Sequence, residues 1–174
     1  MNRRSFLIAA PACISGIAGL SLTAATAQAG SPLRGSVAIG NVTGNGAVPS
    51  TAFLADLTPR RFRSVLQSTL EGAHLASDGA ARYRLDAHVE HVDYPSASFI
   101  PLAVTVRAIV QYSLIDLATG AVVLSTRADE SAMVTRLQVP DEMTRANTAI
   151  RKCALGNAQR LITTLNDPGR LAAR

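Results

Sequence analysis

The sequence has no tryptophan, only two cysteines and a single lysine among its 174 residues, and aromatic residues make up 4% of it. Nucleic-acid-binding surfaces usually combine clustered basic residues with aromatic side chains, so this scarcity argues against a nucleic-acid partner. Aliphatic residues are abundant instead, and 48% of the chain is hydrophobic. This composition excludes a disordered chain and supports one folded domain.

The first 29 residues have the composition of an export signal. Arg3 and Arg4 form a positive start, the stretch 6–22 is apolar, and Ala29 completes a small-x-small site of the kind that signal peptidase cleaves. Removal of this segment leaves 15 basic and 12 acidic residues, a net charge of +3. The sequence therefore predicts a cleaved signal over 1–29, a single domain over 30–174 and a periplasmic location.

Two further features of this segment concern the export route and membrane attachment. Arg3 and Arg4, followed by Ser5, Phe6 and Leu7, are similar to a twin-arginine signal, and an ordinary secretory signal is the alternative. Cys13 has Ala10 three positions before it, where a lipoprotein signal normally places leucine. We therefore expect no lipid anchor and at most a peripheral association with the membrane.

The first half of the domain shows a strand followed by a helix. A strand begins at Ser36 and is broken by the glycine-rich segment 40–46. Thr58 is a good N-cap and Pro59 suits the first helical position, so a helix is expected to start there and to end at Ser77-Asp78-Gly79.

Three strands and a second helix follow. Apolar residues alternate from Tyr83 onwards, with a phase change that predicts a bulge near Glu90 and His91. Longer alternation over 102–114 and a return strand over 122–128 predict an antiparallel hairpin, and Asp141 caps a helix that stops near Asn166. The order β-α-β-β-β-α predicts an α+β fold: a two-layer sandwich with an antiparallel-rich sheet of about four strands and two helices on one face.

The sequence contains no recognisable catalytic or nucleotide-binding motif. Asp86, His88 and Glu90 share one strand face and could in principle bind a metal, but a solvated polar face is favoured because such side chains lie too far apart along a strand. His74, placed late in the first helix, His91 and a buried Cys153 are interpreted as structural. We therefore expect a non-enzymatic protein without cofactor or metal.

One cluster conflicts with local physics. Arg60, Arg61 and Arg63 lie in the first turn of the first helix, where the helix dipole already creates positive potential. Such a cluster is a candidate binding site for a phosphate, a lipid headgroup or an acidic protein surface. The alternative is chance, because the chain has 16 arginines and one lysine.

The order of elements resembles small Gram-negative envelope accessory proteins. The likeness is carried by a strand written Tyr83-x-Leu85-x-Ala87-x-Val89, a hairpin through Asp116 and Gly120, and a final helix containing Ala154-x-x-Asn157-Ala158. The group includes the lipopolysaccharide-assembly lipoprotein and the auxiliary lipoproteins of ABC-type lipid transporters. Its members usually carry a lipidated cysteine; because no lipid anchor is expected in this chain, membrane tethering is not part of what the resemblance implies.

This resemblance implies a non-catalytic accessory subunit or a chaperone-like partner of an envelope assembly or lipid-transport system. Its partners would be an envelope protein, a transporter component or an anionic lipid. Two alternatives remain at this stage: a stand-alone periplasmic binding domain for a small amphiphile, and a hydrolase without a recognisable motif. A carrier needs an enclosed apolar pocket, and an enzyme needs convergent titratable groups in a cleft.

Overall fold

The computed structural model describes residues 33–44, 57–94 and 102–167, and these form a two-layer α+β structure. The elements, in chain order, are β1 (Val37–Gly44), α1 (Pro59–Gly72), β2 (Tyr83–Asp93), β3 (Ala103–Asp116), β4 (Val122–Thr135) and α2 (Glu142–Leu165). The sheet order is β1-β2-β3-β4, with β1 parallel to β2 and the other neighbours antiparallel. Both helices lie on one face, so the predicted fold class and element order are confirmed.

The core lies between the helices and one face of the sheet. Every second residue of β3 from Val104 to Asp116 is buried, as the period of a strand requires. The helices contribute Phe62, Leu66 and Ile150, all predicted core residues, and each is buried. Removal of this much aliphatic surface from water is the main stabilising contribution to the fold.

Helix α1 ends at Gly72, so the prediction that it continues to Ser77-Asp78-Gly79 is wrong. His74 adopts a positive φ of 57°, its N–H donates to the Glu71 carbonyl at 2.9 Å, and the Leu75 N–H donates to the Leu70 carbonyl at 3.0 Å. This is a Schellman ending with histidine where glycine is usual. His74 therefore follows the helix instead of lying within it.

Strand β1 also differs from expectation, because it continues through the segment predicted as a loop and reaches Gly44. Its pairing with β2 is irregular between Ile39 and Val42. A Cβ atom at Gly40 would collide with the side chains of Asp86 and Arg84. Glycine at position 40 thus allows β1 to approach β2 closely.

The bulge in β2 and the two ends of α2 lie where the sequence predicts them, whereas the end of β4 does not. The register of β2 on β3 shifts between Val89 and His91, which confirms the predicted bulge. Strand β4 extends to Thr135, seven residues beyond the predicted end at Ala128. The N–H of Thr144 donates to the side chain of Asp141 at 2.7 Å, and α2 ends with Asn166 as its C-cap, as predicted.

Candidate functional site

The predicted arginine cluster lies where α1 begins. The Thr58 hydroxyl accepts the N–H of Arg61 at 3.2 Å, and the Thr58 carbonyl accepts that of Phe62 at 2.9 Å. Phe62 points into the core, so the side chains of Arg60, Arg61 and Arg63 are left on the exposed side. No acidic residue occupies the first turn, and the positive end of the helix dipole is therefore not compensated within the helix.

Arg63 has a structural role that separates it from the other two arginines. Its guanidinium donates to the carbonyl of Gly40 at 2.8 Å and to that of Ile39 at 3.1 Å. These carbonyls belong to the irregular part of β1, so Arg63 ties α1 to the edge of the sheet. Within the predicted cluster, Arg60 and Arg61 therefore remain as the candidate binding residues.

Arginines on the open face of the sheet, the face away from the helices, differ from this pair. The Arg84 guanidinium Nη2 lies 3.2 Å from the Asp86 carboxylate Oδ2, and the Arg127 guanidinium donates to the Glu90 carboxylate at 2.8 Å. Arg107 makes two hydrogen bonds to Asp129, and these hold the pKa of the Asp129 carboxyl below its ordinary value.

Arg60 and Arg61, in contrast, make no ion pair within the described ranges 33–44, 57–94 and 102–167. The positive charge of the open face is neutralised internally, and that of the α1 start is not.

The row considered as a metal site is divided among separate partners. Asp86 accepts the N–H of Asn41 at 2.8 Å, His88 is hydrogen-bonded to Thr43 at 2.9 Å, and Glu90 is paired with Arg127. In the part of the chain that the structure describes, no group of three or more histidine, cysteine or acidic side chains could hold a metal ion. The row forms polar contacts between neighbouring strands.

Three polar side chains in the core were not singled out from the sequence as a group. Cys153 is 1% exposed, and its thiol donates to the Glu130 carbonyl at 3.2 Å. Burial raises the pKa of this thiol to about 11 and also raises the pKa of the Tyr112 hydroxyl. Asn157 donates to the Ala108 carbonyl at 3.2 Å. The prediction that Cys153 is buried is confirmed, and its thiol is protonated at neutral pH.

Arg145 is a buried charged residue that the sequence analysis did not identify. It lies in the first turns of α2, is 1% exposed, and donates to the carbonyls of Val139 at 2.9 Å and Pro140 at 3.0 Å. These bonds hold the connection between β4 and α2 against the start of the helix. The apolar stripe gave no signal for Arg145, because a stripe is defined by apolar residues alone and any arginine is assigned to the exposed face.

A groove of about 370 Å³ lies between β4 and the second half of α2. It is lined mainly by hydroxyl-bearing and charged residues, with two apolar ones: Thr126, Arg127, Ala128, Arg160, Leu161, Thr163, Thr164 and Asp167. An amphiphile carrier needs an enclosed apolar cavity for a hydrocarbon tail. This groove does not have that chemistry.

Proteins of known structure share this fold. A Xanthomonas campestris protein of the DUF330 family has a TM-score of 0.56 at 11% identity, covering 75% of this chain and 83% of that one. A hypothetical protein of Chlamydia trachomatis has a TM-score of 0.55 at 11% identity, covering 81% and 99%. A Caulobacter crescentus protein assigned as a lipoprotein has a TM-score of 0.52 at 18% identity, covering 82% and 95%.

At these identities the likeness shows a common α+β fold, which is the architecture expected from the resemblance to envelope proteins. No family model matches the sequence, and no curated protein matches it. None of the helices within the described residues is both long enough and apolar enough to span a bilayer.

Proposed function

We propose that this chain is a non-catalytic accessory subunit, or a chaperone-like partner, of an envelope assembly or lipid-transport system. The observation that carries the proposal is the positive charge of Arg60 and Arg61, which is exposed and has no ion-pair partner among the described residues. Its binding partner would present negative charge, either as an acidic protein surface or as anionic lipid.

The position of these two arginines strengthens the argument. A cation at a helix N-terminus lies in the positive potential of the helix dipole, so it destabilises the isolated protein slightly. A bound anion would gain from both the guanidinium groups and the dipole. The arrangement therefore favours the bound state of the protein over its free state.

Two further observations support an envelope setting. The sequence begins with the expected export signal over 1–29, which lies outside the described residues. The fold is shared with a protein assigned as a lipoprotein. Export would place the domain in the periplasm, where both envelope proteins and anionic lipid headgroups are accessible.

The test uses the double variant Arg60→Gln/Arg61→Gln and leaves Arg63 in place, because Arg63 bonds to β1. The matched control is Arg136→Gln/Arg151→Gln, which removes the same charge from two other exposed arginines that have no ion pair with any described residue. Binding is measured by pull-down from solubilised envelope and by co-sedimentation with vesicles containing anionic lipid.

The wild-type protein and the control should bind, with binding weakening as salt rises, and the Arg60/Arg61 variant should lose most of it. Thermal unfolding of the variant should be unchanged or slightly improved, because repulsion at the helix start is relieved. Equal binding by the variant and the control would refute the proposed surface. Loss from the envelope pull-down alone identifies a protein partner, and loss from the vesicles identifies a lipid headgroup.

A further inference from the structure

The two edges of the sheet differ in how many of their outward backbone groups are hydrogen-bonded. At the β1 edge, the Val37 N–H donates to the Leu75 carbonyl at 3.0 Å, and the Ser77 N–H donates to the Val37 carbonyl at 2.9 Å. Arg63 covers the next two carbonyls along that edge. At the other edge, β4 pairs with β3 and with no other described strand. No described segment lies hydrogen-bonded along its outer side.

The hydrogen-bond phase of β4 shows which of its backbone groups point outward. The Arg136 N–H donates to the Leu102 carbonyl at 2.7 Å, and the register is continuous from there to Leu124. Because bonding alternates in an antiparallel ladder, the even-numbered residues of β4 bond to β3. The outward residues are Ser125, Arg127, Asp129, Ser131 and Met133.

The next outward N–H, that of Thr135, is capped by the side chain of Gln138 at 3.0 Å. In the described parts of the chain, no hydrogen bond reaches the outward N–H and C=O groups of the five residues before it. The edge therefore offers ten backbone groups in a regular row.

Exposed strand edges are usually protected against pairing by proline, charged side chains (lysine above all), a bulge or very short length. Strand β4 has 14 residues, contains neither proline nor lysine, and runs without a register shift from Leu124 to Thr135. The two charged residues of its outward set, Arg127 and Asp129, have opposite signs. Its outer side is thus suited to accept another strand.

We propose that β4 pairs antiparallel with β4 of a second copy of this chain, about a two-fold axis that passes beside Ala128. The pairing would place Arg127 of each copy opposite Asp129 of the other. Registers centred on the neighbouring residues place like charges opposite each other, arginine against arginine or aspartate against aspartate, which disfavours them. The strand is therefore complementary to itself in one central register.

The same register extends the charge pattern already present on the open face. Within one copy, Glu90 pairs with Arg127 and Arg107 pairs with Asp129. Across the axis, Glu90 and Arg127 of one copy are followed by Asp129 and Arg107 of the other. The charges of this row alternate in sign. The two-fold axis is perpendicular to the sheet, so all four helices lie on one face of a continuous eight-stranded sheet.

The register can be tested with cysteines at Ser125 and Ser131, two exposed residues of the outward set. The proposed pairing places Ser125 of one copy opposite Ser131 of the other, at the Cα separation of about 5.5 Å of a hydrogen-bonded pair, which suits a disulfide. Each single variant is the control for the other, because like positions lie about 20 Å apart in this register. The chain carries Cys13→Ser and keeps the buried Cys153.

An equimolar mixture of Ser125→Cys and Ser131→Cys should form a disulfide-linked dimer under mild oxidation, and neither variant alone should do so. The wild-type protein should show a concentration-dependent monomer–dimer equilibrium in sedimentation experiments. Ser131→Pro should stay monomeric with unchanged thermal unfolding, because the N–H it removes points away from β3.

Cross-linking by either single variant alone would overturn the register. A wild-type protein that stays monomeric at every concentration, with no cross-link in the mixture, would overturn the pairing of two copies. The remaining partner for this edge would then be a strand of a different protein. These outcomes are independent of the proposed function, because Arg60 and Arg61 lie on α1 and are unchanged in all of these variants.

Discussion

Tyr112 lies at the centre of the core, and its hydroxyl has no hydrogen-bond partner among the described residues although the side chain is 0% exposed. The substitution Tyr112→Phe removes only that hydroxyl. In the unfolded chain the hydroxyl is hydrated, so folding pays the full desolvation of an unpartnered polar group, about 1–3 kcal/mol. The small void left by the oxygen reduces this gain. We expect the free energy of unfolding to rise by about 1 kcal/mol.

Denaturant unfolding measures this change directly, and a thermal melt should show a midpoint about 2–4 °C higher for a domain of this size. The matched control is Tyr83→Phe, since Tyr83 keeps 8% exposure and its hydroxyl is not among the buried unpartnered groups. The control should change little. A loss of about 1 kcal/mol or more in Tyr112→Phe would refute the reasoning, because it would mean that the hydroxyl is bonded in the folded protein.

Two other substitutions test local features of the fold. His74→Gly should raise the free energy of unfolding by about 0.5–1 kcal/mol, because glycine relieves the strain of a positive φ and loses part of that gain to unfolded-state entropy. Chemical denaturation that shows a decrease would contradict the Schellman assignment. Asp116 accepts the N–H groups of Ala118 and Thr119, and the first of these bonds is the main reason why its carboxyl pKa is lowered. A lowered folded-state pKa gives stability that is complete above the unfolded value of about 4 and is lost as the pH falls through the folded value. Unfolding measured over a pH series should therefore decline less steeply below about pH 4 in Asp116→Asn than in the wild type, and parallel curves would count against this role.

Much of the architecture could be predicted because its signals are local. The alternation of Leu85, Ala87 and Val89 defines a buried strand face by itself, and the phase change before Val92 is enough to locate the bulge. Thr58 and Asp141 were identifiable as caps for the same reason, since a cap acts within one turn.

The features that were missed depend on residues distant in the sequence or on an unusual choice of residue. The end of α1 is not marked in the sequence, because His74 occupies the left-handed position where glycine is the usual signal, whereas Gly79 stands in a turn-like segment further along. The continuation of β1 and the bonds of Arg63 both depend on the position of β1 relative to α1. No pattern of neighbouring residues predicts that position. The arginine cluster itself was visible because it contradicts a local preference, but its division into Arg63 and the other two arginines required the fold.

The parallel pairing of β1 with β2 has a consequence for how the chain folds. Strands β2, β3 and β4 are joined in sequence and can pair as soon as each turn closes, whereas β1 is separated from its neighbour β2 by α1. Loop closure favours nearby contacts, so the meander and α2 should assemble before β1 and α1 dock. Strand β1, which is synthesised before the other described strands, is then the last of them to be protected, and native-state hydrogen exchange should find its amides among the first to open.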